Sequence, residues 1–452
     1  MEPPAEVYDE SDGENSVDGH EEESVYLFDL VKPDSKEATI WNALNMNPYG
    51  LSAWATDSVE AMKLKLVRCV KDMDDSDLNF KPEMTYQVFG QKEIIAGFKD
   101  LQVNLVYGAG SLRTLLDIKF SKKIDANVLE AENVEEKLNG FIPKDYFTSI
   151  DNFSMGLDKE EKEFTPPGEK IREFSIETES GEQTFEIYNA APYKDNKMKS
   201  YCERMQTFIM WYIEAASFVE LDDEKWNFFL LFEKYKFDNS TRYAFVGFVS
   251  TYEFYCYPDN IRPRISQMLI LPPFQKAGLG VELLSSTHDF YRGISKVTDI
   301  AVESPSHEFQ RLRDFVDCLA CQKLPEFAPS KLKDNFSKEM EAVAKGKLKM
   351  GKKQAQRVYN ILKLHSCNRE REEDLEAYMD YLKKQADKQN QRTHERAKKK
   401  GLMKMEREIL VEMIPSLNPE YRISSVTQAA TSMFEQFVKV VSRLERDADE
   451  DD

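Results

Sequence analysis

The chain reads as an α+β protein in which a mixed sheet is flanked by helices, with an N-terminal α/β domain before it and a C-terminal helical region after it. Three observations predict this. Aromatic and β-branched runs recur at Phe228–Tyr235, Tyr243–Tyr255 and Ile265–Leu271. Two segments with helical spacing follow them. Beyond these, Lys331–Met405 is rich in Lys, Arg, Glu and Gln, with few prolines or glycines to interrupt a helix.

The first two runs are separated by Lys236–Arg242, which contains Asp238-Asn239-Ser240, so they form a hairpin. Ile265–Leu271 supplies a third strand. In Val281–Tyr291 the residues Val281, Leu284, His288 and Tyr291 share one helical face. Val297–Val302 is a short strand, and Glu308–Leu319 is an amphipathic helix with Phe309, Leu312, Phe315, Val316 and Leu319 inward. Met433–Leu444 is an amphipathic terminal helix whose apolar face packs on the preceding helices or on a partner.

With 452 residues, 41% of them hydrophobic and 12% aromatic, the chain can bury a sizeable core in two or three domains. No apolar run approaches the length that spans a bilayer, so no membrane role is expected. The net charge of −20 favours a basic partner over sequence-specific nucleic acid. Residues 1–24 hold ten Asp or Glu and no Lys or Arg, the composition of a disordered acidic tail that solvates or loosely holds basic protein. Asp447–Asp452 is a second acidic run. Lys345–Lys353 and Arg396–Lys400 are basic clusters, read first as solvated helix faces, with import signals or weak nucleic-acid contacts as alternatives. Six scattered cysteines suit a reducing compartment. Cys318-x-x-Cys321 lacks a second ligand pair, so no metal is expected.

Chemistry concentrates in Arg264–Gly280, where a strand runs through Pro272-Pro273 into a glycine turn that opens a helix. The first helical turn leaves its N–H groups without internal partners, and the helix dipole adds to their attraction for an anion. The spacing Gln275-x-x-Gly278-x-Gly280 resembles motif A of the Gcn5-related N-acetyltransferase (GNAT) superfamily, and the order of strands and helices around it is that of the superfamily core. The resemblance implies acetyl-coenzyme A (acetyl-CoA) as acetyl donor. Its pyrophosphate would lie on Gln275, Lys276, Ala277, Gly278, Leu279, Gly280 and Val281, and its pantetheine arm along Met268, Leu269 and Ile270.

Longer segments resemble one family within it. Gln206–Trp226, Arg262–Gln275, Asp299–Val316, Phe89–Leu112 and Gln354–Leu364 look like those of the type B histone acetyltransferase catalytic subunit. Membership implies acetylation of lysines in the tail of newly made, free histone H-four, by direct attack of the amine in a ternary complex. A free lysine is nearly all ammonium at pH 7, so the reaction needs a base. Glu303 matches the family's catalytic glutamate. Glu214 matches a second acidic position and is read here as part of an apolar helix, Phe208–Phe218, with a structural salt bridge as its alternative role. Ser304 stands where the family has an acid, which weakens any mechanism that needs a third carboxylate.

Trp226, Tyr252, Glu253 and Phe254 match tail-contacting positions. Because Tyr252 and Phe254 alternate with Glu253 on a strand, the aromatics and the carboxylate must face opposite sides. Gln91-Lys92-Glu93 occupies another tail-contacting position, where Lys92 weakens attraction to a basic peptide. The resemblance further implies histone H-four with its partner core histone, a separate WD40-repeat chaperone subunit, and residence in nucleus and cytoplasm. The expected division is an acidic tail over 1–24, a substrate-recognition domain over 25–160, the acetyltransferase core over 161–325 and a helical region over 326–452. Two other readings stay open: an acetyltransferase of this fold for a different amine, and a non-enzymatic histone carrier.

Overall fold

A computed structural model describes residues 51–178, 181–399 and 418–451. The acidic tail 1–24 and Lys400 lie outside them, and Arg396–Lys399 are described by backbone alone.

The N-terminal sheet has the order β2-β1-β3-β4, where β1 is Met62–Val67, β2 Asn79–Phe80, β3 Gln102–Gly108 and β4 Thr114–Lys119; only β1 and β3 run parallel. Helix α1 (Ile150–Glu163) follows, started by Ser149, whose hydroxyl accepts the Asn152 N–H. It crosses the expected boundary at residue 160. Its Glu161 carboxylate is fully buried and accepts the N–H groups of Gly110 and Ser111 and the Ser111 hydroxyl.

The central sheet has the order β10-β9-β8-β7-β6-β5: β5 is Glu169–Thr178, β6 Gly181–Ala190, β7 Trp226–Phe237, β8 Ser240–Cys256, β9 Asn260–Ile270 and β10 Ala301–Val302. All neighbours are antiparallel except β9 and β10. The β7–β8 hairpin turns on Asp238 and Asn239, both at positive φ (46° and 60°), a conformation these two residue types tolerate. Two expectations change. β5 and β6 extend the sheet beyond the anticipated strands, and the strand anticipated at Val297–Val302 shortens to Ala301–Val302, with Val297 making only an isolated bridge to Ile261.

Helix α2 (Asn196–Gln206) precedes β7, α3 (Leu279–Arg292) follows β9, and α4 (His307–Gln322), capped by Ser306, follows β10. One face of the central sheet, through Phe228, Leu230, Phe232, Phe245, Phe248 and Leu269, shares a core with the N-terminal sheet and Trp211. The other face, through Phe229, Leu231, Val246 and Ile265, packs on Leu283, Leu284 and Tyr291 of α3.

Helices α5 (Lys338–Leu348), α6 (Lys352–His365), α7 (Glu372–Lys399) and α8 (Pro419–Asp451) form a third core around Tyr359, Leu382 and Phe437. The apolar face of α8 meets α4, α6 and α7, so the terminal helix packs within the chain. Cys318 and Cys321 are buried in this core, and burial pushes both thiols up. Among the described residues no His, Cys, Asp and Glu cluster could hold a metal, and no helix is long and apolar enough to cross a membrane.

Candidate active site

The site forms where the only parallel pairing of the central sheet stops. β10 pairs with β9 at Arg264↔Ala301 and Ile265↔Val302, and the Glu303 N–H closes the pairing on Ile265 O at 2.9 Å. Ser304 then turns away at φ +33°. On the other side of β9, Ser250 faces Gln267 and Thr251 faces Ile265, so Ser266 is the extra residue of a β-bulge. A bulge bends its strand and re-aims side chains, and here it coincides with the parting of β9 from β10.

From Ser266 to Ile270 the outer edge of β9 is therefore open. The Leu271 N–H donates to Val246 O, so alternate residues Leu269 and Leu271 turn their backbone groups inward to β8. Met268 and Ile270 turn theirs to the open edge, where Ile270 O accepts the Gln275 side-chain amide at 2.9 Å.

The strand ends in a short turn, Pro272–Phe274, and the chain reverses through Lys276 (φ 66°) and Gly278 (φ 75°) before α3 starts at Leu279. Gly278 is in the left-handed region, where a Cβ is strained. Gly280 needs its glycine less, since an added Cβ would sit 3.4 Å from Leu312 Cδ2, an ordinary contact. No described backbone acceptor takes the N–H groups of Lys276, Ala277, Gly278, Leu279 and Gly280, and all but Leu279 and Gly280 are exposed. Unfilled N–H groups at a helix N-terminus fit a diphosphate.

Glu303 is partly buried. Its Oε2 accepts the Ser266 hydroxyl at 2.8 Å and lies 3.1 Å from Arg264 Nη2. Arg264 stacks on Phe254, its guanidinium carbon 4.5 Å from the ring centroid. Phe254 in turn meets Tyr252 at 4.7 Å, and Tyr252 meets Trp226 at 4.9 Å. The Tyr252 hydroxyl donates to Asp223 at 3.0 Å, beside Asp222 and Glu224. One aromatic ladder thus leads along the sheet to the Glu303 carboxylate.

Glu253 faces the opposite side, as alternation requires. It accepts Asn227 Nδ2 at 2.9 Å and the Tyr291 hydroxyl at 3.3 Å. Burial holds its carboxyl above the ordinary range, against the pull of Tyr291 and Lys194. It does not share a wall with Tyr252 and Phe254.

The helix expected over Phe208–Phe218 stops at Tyr212, and Glu214 lies exposed in a turn rather than on an apolar helical face. Tertiary contacts capture this segment. The Ala215 N–H (φ 53°) donates to the Tyr86 hydroxyl, Gln87 reaches Ala216 O, and Gln267 of β9 reaches Ser217 O. The loop therefore bridges β9 and the turn that carries Gln91, Lys92 and Glu93. Gln91 and Lys92 are exposed, while the Glu93 carboxylate is engaged by Thr85 through its N–H at 2.5 Å and its hydroxyl at 3.2 Å. Two residues of the site escaped sequence reasoning, Arg264 and Ser266. The motif text contains both, but only the bulge and the ending of β10 bring them to Glu303.

Residues 54–214 match the family described as "Histone acetyl transferase HAT1 N-terminus", and residues 313–364 match "Histone acetyltransferase type B catalytic subunit, C-terminal". A histone acetyltransferase type B catalytic subunit of Mus musculus is 36% identical over 398 residues, covering 87% of this chain and 95% of its own. This chain belongs to the type B histone acetyltransferase catalytic subunit family. The Homo sapiens subunit is likewise 36% identical, over 87% of this chain and 94% of its own. That of Rattus norvegicus is 42% identical over 70% of this chain and 75% of its own. The fold is a mixed sheet flanked by helices, with an N-terminal α/β domain and a C-terminal helical region, and membership makes the chain an acetyltransferase that uses acetyl-CoA.

Proposed function

We propose that this enzyme acetylates lysine side chains in the N-terminal tail of newly synthesised, free histone H-four, with Glu303 as general base in a ternary complex. The observation that carries the reading is the place of Glu303: at the split between β9 and β10, beside the open edge of Met268–Ile270 and at the end of the aromatic ladder.

Acetyl-CoA supplies the acetyl group as a thioester. The free N–H groups of Lys276–Gly280 suit its pyrophosphate, and the edge N–H groups of Met268 and Ile270 suit its amides and thioester carbonyl. A donor aimed at a developing oxyanion is worth about 3–4 kcal/mol. The lysine ammonium gives its proton to Glu303, the amine nitrogen bonds the acetyl carbon, the carbon–sulfur bond breaks, and a second proton from the nitrogen passes to the departing sulfur, so the coenzyme leaves as thiol. Trp226, Tyr252 and Phe254 offer flat walls to an extended chain, and Asp222, Asp223 and Glu224 offer charge to a basic one. Glu214, exposed on the loop tied to β9, is a second carboxylate for a cationic side chain. Glu93 is already engaged by Thr85 and Lys92 is cationic, so the 91–93 turn adds little attraction. That leaves room for a partner: histone H-four arriving with its partner core histone, and a WD40-repeat chaperone as separate subunit, in cytoplasm and nucleus.

The test is acetyl transfer from labelled acetyl-CoA to full-length histone H-four and to its tail peptide by wild type, Glu303→Gln and Glu214→Gln. Strong labelling that collapses in Glu303→Gln is expected, with a smaller loss in Glu214→Gln. Labelling that survives in Glu303→Gln would remove it as the base, and a wild type that binds acetyl-CoA but labels neither acceptor would remove histone H-four as the substrate.

A further inference from the structure

The two oxygens of Glu303 are not equivalent. Oε2 takes both the Ser266 hydroxyl, at 2.8 Å, and Arg264 Nη2, at 3.1 Å. No described residue donates to Oε1. The guanidinium is itself held in place: Arg264 stands opposite Tyr252 in the β8–β9 register and stacks on the ring of Phe254 at 4.5 Å. Its Nε is buried without an acceptor, so the side chain is oriented by the ring and the carboxylate together.

A guanidinium stays charged at any working pH, so Arg264 cannot compete with Glu303 for the proton of an incoming amine. It can do two other things. By occupying Oε2 it leaves Oε1 as the oxygen to which no described residue donates. By standing on the same carboxylate as the substrate ammonium, it places a second positive charge nearby, and a like charge disfavours the charged form of an amine. The first effect is the one that acts on the transfer, by directing the proton to Oε1; the guanidinium stands nearer the carboxylate than the amine, so its charge does not by itself drive the transfer, and neither effect involves contact with acetyl-CoA.

We propose that Arg264 is a positioning residue for acetyl transfer, fixing one oxygen of Glu303 so that the other receives the lysine proton. This rests on the reading of Glu303 as the base. Lysine at 264 would keep the charge but lose the planar stack on Phe254 and the fixed direction of the donor. Glutamine would lose the charge altogether.

The experiment measures kcat and KM for both substrates in Arg264→Lys, Arg264→Gln, Phe254→Leu and the Arg264→Gln/Phe254→Leu double variant, with Glu303→Gln alongside. Loss of a charge-assisted contact at a partly exposed pair is expected to lower kcat of Arg264→Gln by about tenfold or more. KM for acetyl-CoA should stay within about twofold of wild type, and Arg264→Lys should recover part of the loss. Phe254→Leu should lower kcat when Arg264 is present and add little when it is absent, because the ring acts through the guanidinium.

A kcat for Arg264→Gln within about twofold of wild type would overturn the proposal. So would full additivity in the double variant, or a loss of acetyl-CoA binding that tracks the loss of turnover. The two readings separate cleanly. Turnover that persists in Glu303→Gln removes the base itself, whereas turnover lost there but kept in Arg264→Gln removes only the role of Arg264.

Discussion

The hydroxyl of Ser266, the extra residue of a β-bulge in β9, donates to Glu303 Oε2 across 2.8 Å. The bulge and the carboxylate are thus one device: the residue that disturbs the pairing with β8 also holds the side chain that follows the pairing with β10. Ser266→Ala should leave the sheet intact, because the bulge is a backbone feature. A hydrogen bond to a charged but partly exposed group supports a loss of about fivefold in kcat, with acetyl-CoA affinity unchanged. Steady-state kinetics beside a binding isotherm for acetyl-CoA checks this, and an unchanged kcat would reduce Ser266 to a backbone role.

Gly278 and Gly280 should respond differently to alanine. At φ 75°, an alanine at 278 is strained by about 1–2 kcal/mol, and relief would rotate the N–H groups of the cradle. Gly278→Ala is expected to weaken acetyl-CoA binding by about tenfold. Gly280→Ala adds a Cβ in ordinary contact with Leu312, so its thermal stability should match wild type. Calorimetric titration with acetyl-CoA, paired with melting curves, distinguishes the two.

Glu161 plugs the loop at Gly110–Ser111. Its carboxylate accepts from two backbone N–H groups and one hydroxyl in a fully buried setting. Burial pushes its carboxyl up, while the Ser111 hydroxyl and the two N–H groups pull it down. Glu161→Ala strands those donors and should destabilise the fold by about 2–4 kcal/mol, seen as a lowered midpoint in denaturant. A midpoint equal to wild type would mean that water replaces the carboxylate at no cost.

His288 predicts a pH effect on stability. It is buried between α3 and α4, facing Arg292, Arg313 and Asp317, and neither ring nitrogen has a hydrogen-bond partner. Burial first, then the charges of Arg292 and Arg313, hold it well below its ordinary 6.5. The unfolded histidine takes up a proton below pH 6.5 and the folded one does not, so this residue costs stability as pH falls through that value. Asp317 has the opposite sign. Burial raises it to about 6, so between pH 4 and 6 the folded chain keeps a proton that the unfolded chain releases, and stability grows as pH falls. His288→Leu should remove the first slope and keep the second. Its gain over wild type should be larger at pH 5 than at pH 7.5, by about 2 kcal/mol. Equal gains at both pH values would show that His288 is protonated in the folded chain.

Local signals carried much of this architecture. The β7–β8 hairpin was legible because strand-forming runs flank Asp238-Asn239, and α3 and α4 because their apolar residues repeat at helical spacing. The cradle was legible because proline and glycine punctuate it. β5 alternates at Phe174 and Ile176 and β6 at Phe185 and Ile187, a period-two signal that could have found them. Glu214 was placed on a helix because Phe208–Phe218 is unusually apolar around it. The segment instead leaves the helix to satisfy Tyr86, Gln87 and Gln267, partners remote in sequence. Arg264 and Ser266 stayed hidden for a related reason. What gives them meaning is where β10 ends, and a two-residue strand leaves no periodicity to read.

Apolar side chains of the N-terminal sheet and of one face of the central sheet belong to a single core, and α1 passes from one sheet to the other with Glu161 anchored in the Gly110–Ser111 loop. The N-terminal half and the central half therefore do not have separate melting transitions to lose. A chain cut near residue 160 would expose Phe228, Phe232 and Phe245 on one fragment and Leu105 and Tyr107 on the other, and neither would be a miniature of the whole. Damage far from Glu303, in the N-terminal sheet, would reach the reaction as a fall in the fraction of intact enzyme rather than as a change in its rate.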